Sequence, residues 1–194
     1  MAQCATLTDP KELQEKDILI LHGGADISPL LYKKSPSRYT HADQPSRRDV
    51  IEWNMLQRAI ELGVPIIGIC RGGQMLCAAA GGILAQHVNN HGGNHDVDTH
   101  DGQRLRVNSI HHQMMVPDGT EHKLLAWTAP KLSDVYWSTD AHGQDVQITV
   151  EKEPELIYFP KIKGMAIQWH PEMMGSKTLS TQFIVKEMAN ASLV

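Results

Sequence analysis

A cysteine with glycines two residues to either side, Gly68-Ile69-Cys70-Arg71-Gly72, has the form of a nucleophile elbow. Such a turn needs small residues there, because a strand breaking sharply into a helix leaves no room for side chains. At the start of that helix Cys70 is expected to feel the positive end of the dipole and unpaired N–H groups, both of which favour the nucleophilic thiolate. Taken alone, a cysteine between apolar residues also reads as a buried core residue, and that is the reading for Cys77. A cysteine nucleophile needs an imidazole oriented by a third group. Trp169-His170-Pro171-Glu172 supplies both. Pro171 biases His170 toward extended backbone, and residues two apart on an extended chain point the same way, so Glu172 can hold the ring. By itself, the triplet also fits an ordinary histidine beside a turn. A third segment, Leu21-His22-Gly23-Gly24-Ala25-Asp26-Ile27-Ser28-Pro29, carries glycines that can expose N–H groups at the carboxyl edge of a sheet, where open α/β sheets bind ligands. An oxyanion suits such donors; the alternative is a plain strand-to-loop turn. His87, His91 and His95 are spaced by four and would share one face of a helix as metal ligands. Asn89-Asn90 and Gly92-Gly93 oppose a helix there, and no acidic or cysteine ligand is placed beside them, so no metal and no cofactor is expected.

These groups need strands that end where helices begin, and the chain reads that way. Asp17 to Leu21 is a short apolar run ending at Gly23-Gly24, a buried parallel strand. Asp49 to Leu62 is a helix with Ile51, Met55, Ala59 and Leu62 on one stripe, Ser46 or Asp49 at its cap and Gly63 stopping it. Val64 to Ile69 is a second buried strand. Gly72 to Ala80 is an alanine-rich helix closed by Gly81-Gly82. From Arg104 onward the segments shorten and alternate: 104–110, 123–127, 146–150, 155–159 and 164–169 read as strands. A last helix carries Leu179, Phe183, Ile184 and Met188 behind a Ser176 cap. The fold class is therefore α/β, a mainly parallel sheet with helices on both faces. The 194 residues are expected to form one domain, 1–194, with 41% hydrophobic and 21% charged residues excluding disorder. The net charge of −4 gives no general attraction for nucleic acid or anionic lipid. No apolar run reaches the ~20 residues of a membrane helix, and no leader is visible, so a cytoplasmic protein without nucleic-acid or membrane partners is expected. Three cysteines without C-x-x-C spacing argue against a disulfide framework.

Five ordered segments together resemble the class I glutamine amidotransferases, most closely the γ-glutamyl hydrolase-like branch that includes γ-glutamyl-γ-aminobutyrate hydrolases. They are Gly23 to Tyr32, Arg48-Asp49 with Glu52, Gly68 to Gln74, Asn108 to Gln113, and Gln168 to Glu172. The resemblance runs from about Asp17 to Phe183 and implies a flavodoxin-like fold. It implies Cys70 as nucleophile, His170 as general base and acid, and Glu172 as its orienting carboxylate. The backbone N–H groups of Gly24 and Arg71 would form the oxyanion hole. Gly23, Gln74, His111, His112, Gln113 and Met114 would line the pocket for the glutamyl group. Two departures stand out. Only 16 residues precede Asp17, leaving room for a strand at 3–7 and a short helix from Asp9, so the fold is expected to be N-terminally shortened. The segment Asn90-His91-Gly92-Gly93-Asn94-His95 looks more like the amidotransferase component of carbamoyl-phosphate synthetase.

The implied reaction is hydrolysis of the γ-glutamyl amide of a small γ-glutamyl compound through a γ-glutamyl thioester. The alternatives are a glutaminase component that passes ammonia from glutamine to a separate synthetase partner, and an inactive binding module on the same fold. The complete Cys70, His170 and Glu172 set argues against the last. Arg71 behind the nucleophile leans toward the hydrolase branch.

Overall fold

A computed structural model describes residues 4–194. The first half contains β1 (Leu19–Leu21), α1 (Arg47–Leu62), β2 (Ile66–Ile69), α2 (Arg71–Ala79), β3 (Ile83–Ala85), β4 (His87–Val88) and β5 (His95–Thr99). The second contains β6 (Arg104–Val107), β7 (Met114–Val116), β8 (Lys123–Thr128), β9 (Tyr136–Thr139), β10 (Asp145–Gln147), β11 (Pro154–Phe159), β12 (Gly164–Ile167) and α3 (Leu179–Asn190). Of the strand sought at 3–7, residue 3 lies outside the described residues and residues 4–7 form none; the short helix is a 3-10 turn at Pro10–Glu12.

Seven strands form the main sheet in the order β1-β2-β12-β11-β8-β5-β6. The α/β class holds, and the sheet is mixed. β2 pairs parallel with β1 and with β12, whereas the β12–β11, β11–β8, β8–β5 and β5–β6 pairs are antiparallel. Parallel pairing is thus confined to the end of the sheet from which Cys70 and His170 emerge.

Helices cover both faces. Met55, Leu56 and Ala59 of α1 and Met75, Leu76 and Cys77 of α2 pack with Leu19, Leu21, Ile66 and Ala166. Phe183 and Ile184 of α3 pack on the opposite face with Ile67, Ile69, Met165 and Ile167. The alternation of Ile66 with Ile67 across β2 follows the two-residue period of a strand. α1 starts in a capping box, Ser46 Oγ accepting from Asp49 N–H at 3.0 Å and Asp49 Oδ2 from Ser46 N–H at 2.8 Å; such a cap stabilises a helix by about 1 kcal/mol. Gly63 ends it at φ 64°. The cap of α3 is Thr178, which accepts from Thr181 N–H, rather than Ser176: the chain turns through Gly175–Thr178 before the helix begins. Among the described residues no helix is long and apolar enough to cross a membrane.

Candidate active site

The elbow forms as its glycines require. Cys70 follows β2 with φ 50° and ψ −108°, a conformation that L-residues adopt only when the surroundings impose it. Its N–H donates to Ile167 O at 2.7 Å and its carbonyl accepts from Gln74 N–H at 3.0 Å, so strand and helix both grip the turn. A Cβ on Gly68 would run into the Gly72 carbonyl, and one on Gly72 into the Leu21 carbonyl. At these two glycines helix α2 therefore meets β1 and β2 backbone to backbone.

His170 follows β12, the parallel neighbour of β2. Its Nδ1 is 2.7 Å from Glu172 Oε1, which turns Nε2 away from the carboxylate; Nε2 is buried with no hydrogen-bond partner among the described residues. Gly23 sits between His170 and Cys70: a Cβ there would be 2.7 Å from His170 Cε1 and 3.6 Å from Cys70 Cβ. The His170 peptide is pinned by one amide, its N–H donating to Asn108 Oδ1 at 2.9 Å and its carbonyl accepting from Asn108 Nδ2 at 3.0 Å.

The thiolate expected from the helix dipole is not the resting state. Burial pushes the Cys70 thiol up to about 11. A hydrogen bond from Arg71 N–H pulls the other way, while the charges of Glu172, Glu155 and Asp26 add to the rise. Desolvation outweighs the helix terminus here, so Cys70 rests as the thiol.

The Arg71 side chain runs to the start of α1. It is buried against Asp49, with Nη2 2.6 Å from Oδ1, and pairs through Nη1 with Glu52. Arg48 bonds Glu52 at 2.7 Å and donates through Nη2 to the carbonyls of His22, at 3.2 Å, and Gly23, at 3.1 Å. This network ties the start of α1 to both the elbow and the glycine loop. Arg48, Asp49 and Glu52 thus position the loop, a task their i, i+4 spacing alone does not reveal. Gly24 has φ 154° and packs on the Arg48 guanidinium, which leaves no space for a side chain.

The remaining pocket candidates divide. Gln74 is buried and donates to the Gln113 carbonyl at 3.0 Å, and Gln113 reaches Thr40 Oγ1 at 3.3 Å. His112 Nε2 is 2.9 Å from Asp26 Oδ1, on the loop that follows β1. Burial raises Asp26, but the His112 bond and the His41 N–H outweigh it and hold the carboxyl below its usual range. Met114 is fully buried against Ala85, Val88 and Val116, which leaves its backbone, and not its side chain, for a ligand. His111 points into a buried group with His91, His95 and Glu155. Of the three evenly spaced histidines, His87 instead stacks on Tyr39 at 4.9 Å. No helix forms at 87–95, as the glycines predict, yet His91 and His95 meet Glu155 all the same. The distant acidic partner on β11 was not placed by sequence spacing.

A family model described as Peptidase C26 matches residues 8–172. The chain belongs to the peptidase C26 family. A Mycobacterium tuberculosis protein named as a glutamine amidotransferase is 29% identical over 182 residues, covering 90% of this chain and 55% of that protein. The γ-glutamyl-γ-aminobutyrate hydrolase of Escherichia coli is 27% identical over 182 residues, covering 85% of this chain and 67% of that enzyme. The carbamoyl phosphate synthase small chain of Mesorhizobium japonicum is 36% identical over 73 residues, covering 34% of this chain and 18% of that one. The chain thus spans little more than half of the first of these relatives. Among solved structures, a GMP synthase component from Thermoplasma acidophilum superposes with a TM-score of 0.56 at 18% identity, over 94% of this chain and 76% of that one. That likeness places the peptidase C26 chain among class I glutamine amidotransferase folds.

Proposed function

We propose that the chain is a cysteine hydrolase that cleaves the γ-glutamyl amide bond of a small γ-glutamyl compound. The observation that carries this reading is the meeting of Cys70 in its strained turn with the Glu172-bound ring of His170 across Gly23. His170 Nε2 takes the thiol proton as sulfur attacks the γ-carbonyl carbon. The tetrahedral oxyanion accepts hydrogen bonds from the N–H groups of Gly24 and Arg71. Collapse breaks the C–N bond, and His170 returns its proton to the departing amine. The thioester then yields to water deprotonated by the same ring, releasing glutamate and restoring the thiol. Glu172 stabilises the imidazolium formed in both halves.

A second reading, a glutaminase component feeding ammonia to a separate synthetase, is favoured by one observation: the Asn90 to His95 segment and the local identity with a carbamoyl phosphate synthase small chain. Steady-state kcat/KM for glutamine and for γ-glutamyl amines, on the purified chain with and without cell extract, separates the two. Turnover by the chain alone with preference for a γ-glutamyl amine is expected. Negligible turnover alone with strong stimulation by extract would assign it to ammonia transfer. No turnover under either condition, with Cys70 unreactive to a glutamine-like electrophile, would leave a binding module.

A further inference from the structure

Behind the catalytic segment, four side chains from separate parts of the chain converge in the interior. His91 comes from the loop after β4, His95 opens β5, His111 lies in the loop before β7, and Glu155 lies on β11. Their side chains are 0%, 6%, 2% and 1% exposed, so no bulk water satisfies them. A nitrogen of His91, one of His95 and a Glu155 oxygen all lie within 4.8 Å of one another.

The hydrogen-bond pattern decides what this arrangement holds. His95 Nδ1 is 3.3 Å from Gly93 O and His111 Nδ1 is 2.9 Å from Gln113 O. A carbonyl only accepts, so both Nδ1 atoms carry hydrogens, and in the neutral rings both Nε2 atoms present lone pairs. Those lone pairs face Glu155 Oε1, at 3.1 Å from His95 and 3.8 Å from His111, and His91 Nδ1 stands 3.9 Å from the same oxygen. Three nitrogens thus surround one acceptor oxygen. Both His91 nitrogens, His111 Nε2 and Glu155 Oε2 are buried without a hydrogen-bond partner among the described residues. A proton on one ring answers one contact; a divalent cation at the centre takes one nitrogen from each ring and a Glu155 oxygen together, leaving His91 Nε2 to face the buried Glu153 Oε1 at 3.4 Å. Tetrahedral zinc with bonds of about 2.0–2.1 Å sets its ligand atoms roughly 3.4 Å apart, and the three nitrogen distances to Glu155 Oε1, 3.1, 3.8 and 3.9 Å, bracket that value. A carbonyl holding the far nitrogen of His95 and of His111, and the Glu153 carboxylate facing that of His91, are also the outer support that zinc-binding histidines require.

We propose that His91, His95, His111 and Glu155 form a closed site for one divalent transition-metal ion of the zinc type. All four protein ligands are internal, and no position is left for water, so the ion's role is structural. It would bind the 91–111 segment to β11, and that segment carries Asn108, whose amide pins the His170 peptide. The site is independent of the hydrolase reading, since its test needs no substrate.

The test uses the full chain, freed of metal with a chelator and titrated with Zn2+ against a chromophoric competitor, with Co2+ as an optical probe. One equivalent per chain is expected, with Co2+ giving the visible bands of tetrahedral nitrogen and oxygen ligation. His91→Gln and Glu155→Gln should each weaken binding by about 100-fold or more. His41→Ala and His87→Ala, in the separate His41, His87, His112 group nearer the surface, should leave it unchanged. Should the interior variants fail to fold, stripping the unmodified chain gives the answer: its Tm should fall and be restored by one equivalent of Zn2+. Lack of stoichiometric binding, no Tm response, retention of affinity in folded His91→Gln and Glu155→Gln, or its loss in His41→Ala would each overturn the proposal.

Discussion

The pH dependence of Cys70 alkylation tests how the nucleophile is activated. With its thiol raised from 9.0 to about 11, Cys70 carries a hundredfold less thiolate at pH 7 than an ordinary cysteine. In round terms that is about 1 in 10,000 against about 1 in 100, a difference of about 2.7 kcal/mol at 1.36 kcal/mol per pH unit. Iodoacetamide, which has no glutamyl group to recruit the base, should therefore modify Cys70 slowly at pH 7. Its rate should climb about tenfold per pH unit through pH 10, with no plateau. Peptide mapping by mass spectrometry follows Cys70 separately from exposed Cys4 and buried Cys77. A glutamine-like chloroketone should label Cys70 readily at pH 7, because on the proposed reading it occupies the site in which His170 removes the proton. A plateau in the Cys70 iodoacetamide rate below pH 8 would refute this reasoning, since it would reveal a thiolate–imidazolium pair already formed at rest.

Glu172→Gln should fold normally and lower kcat by about 10- to 100-fold, less than a fully buried partner would cost, because the Glu172 side chain is 36% exposed; an unchanged kcat and pH–rate profile would remove its role. Arg71→Ala strands Asp49, 1% exposed, without its cation and should cost about 3–5 kcal/mol in urea unfolding. A loss under about 1 kcal/mol would show the Arg48–Glu52–Arg71 network to be dispensable. Cys77 is buried and raised to about 12, and a thiol raised in the folded state contributes stability below pH 9 that is lost as pH climbs toward the folded value. Cys70 and Cys77 should each remove about 1.4 kcal/mol between pH 7 and pH 10, and Cys77→Ala should halve that combined loss, at a packing cost of about 1–2 kcal/mol. A slope unaltered in Cys77→Ala would place the alkaline loss elsewhere.

Local rules reached far into this chain where neighbours in sequence are also neighbours in space. Ser46 and Asp49 cap α1, Gly63 stops it, and Gly68 and Gly72 permit the elbow, all within a few residues of the feature they control. The His170–Glu172 pair spans two residues and was legible for the same reason. What escaped depends on distant partners. Desolvation of Cys70 comes from the fold around it, so the helix terminus gave the wrong sign. Glu155 meets His91 and His95 across strands far apart in the chain, and no spacing rule links them. Strands β3, β4, β7 and β9 are short and pair in two- and three-stranded sheets, where too few residues alternate to leave a periodic signal. The antiparallel β11–β12 pair likewise comes from those strands folding back through a short turn, which apolar runs do not announce.

The insertion of β12 beside β2 has a consequence for biosynthesis. Cys70 closes β2, but the strand that completes its neighbourhood is translated about a hundred residues later, and α3, which covers Ile67 and Ile69, later still. During most of elongation the nascent chain therefore exposes one unpaired edge and one apolar face of β2, and Cys70 lacks His170 beside it. A pause that lengthens this interval leaves a sticky strand waiting for its partner, whereas the finished chain closes that edge and brings His170 to Cys70 in the same event.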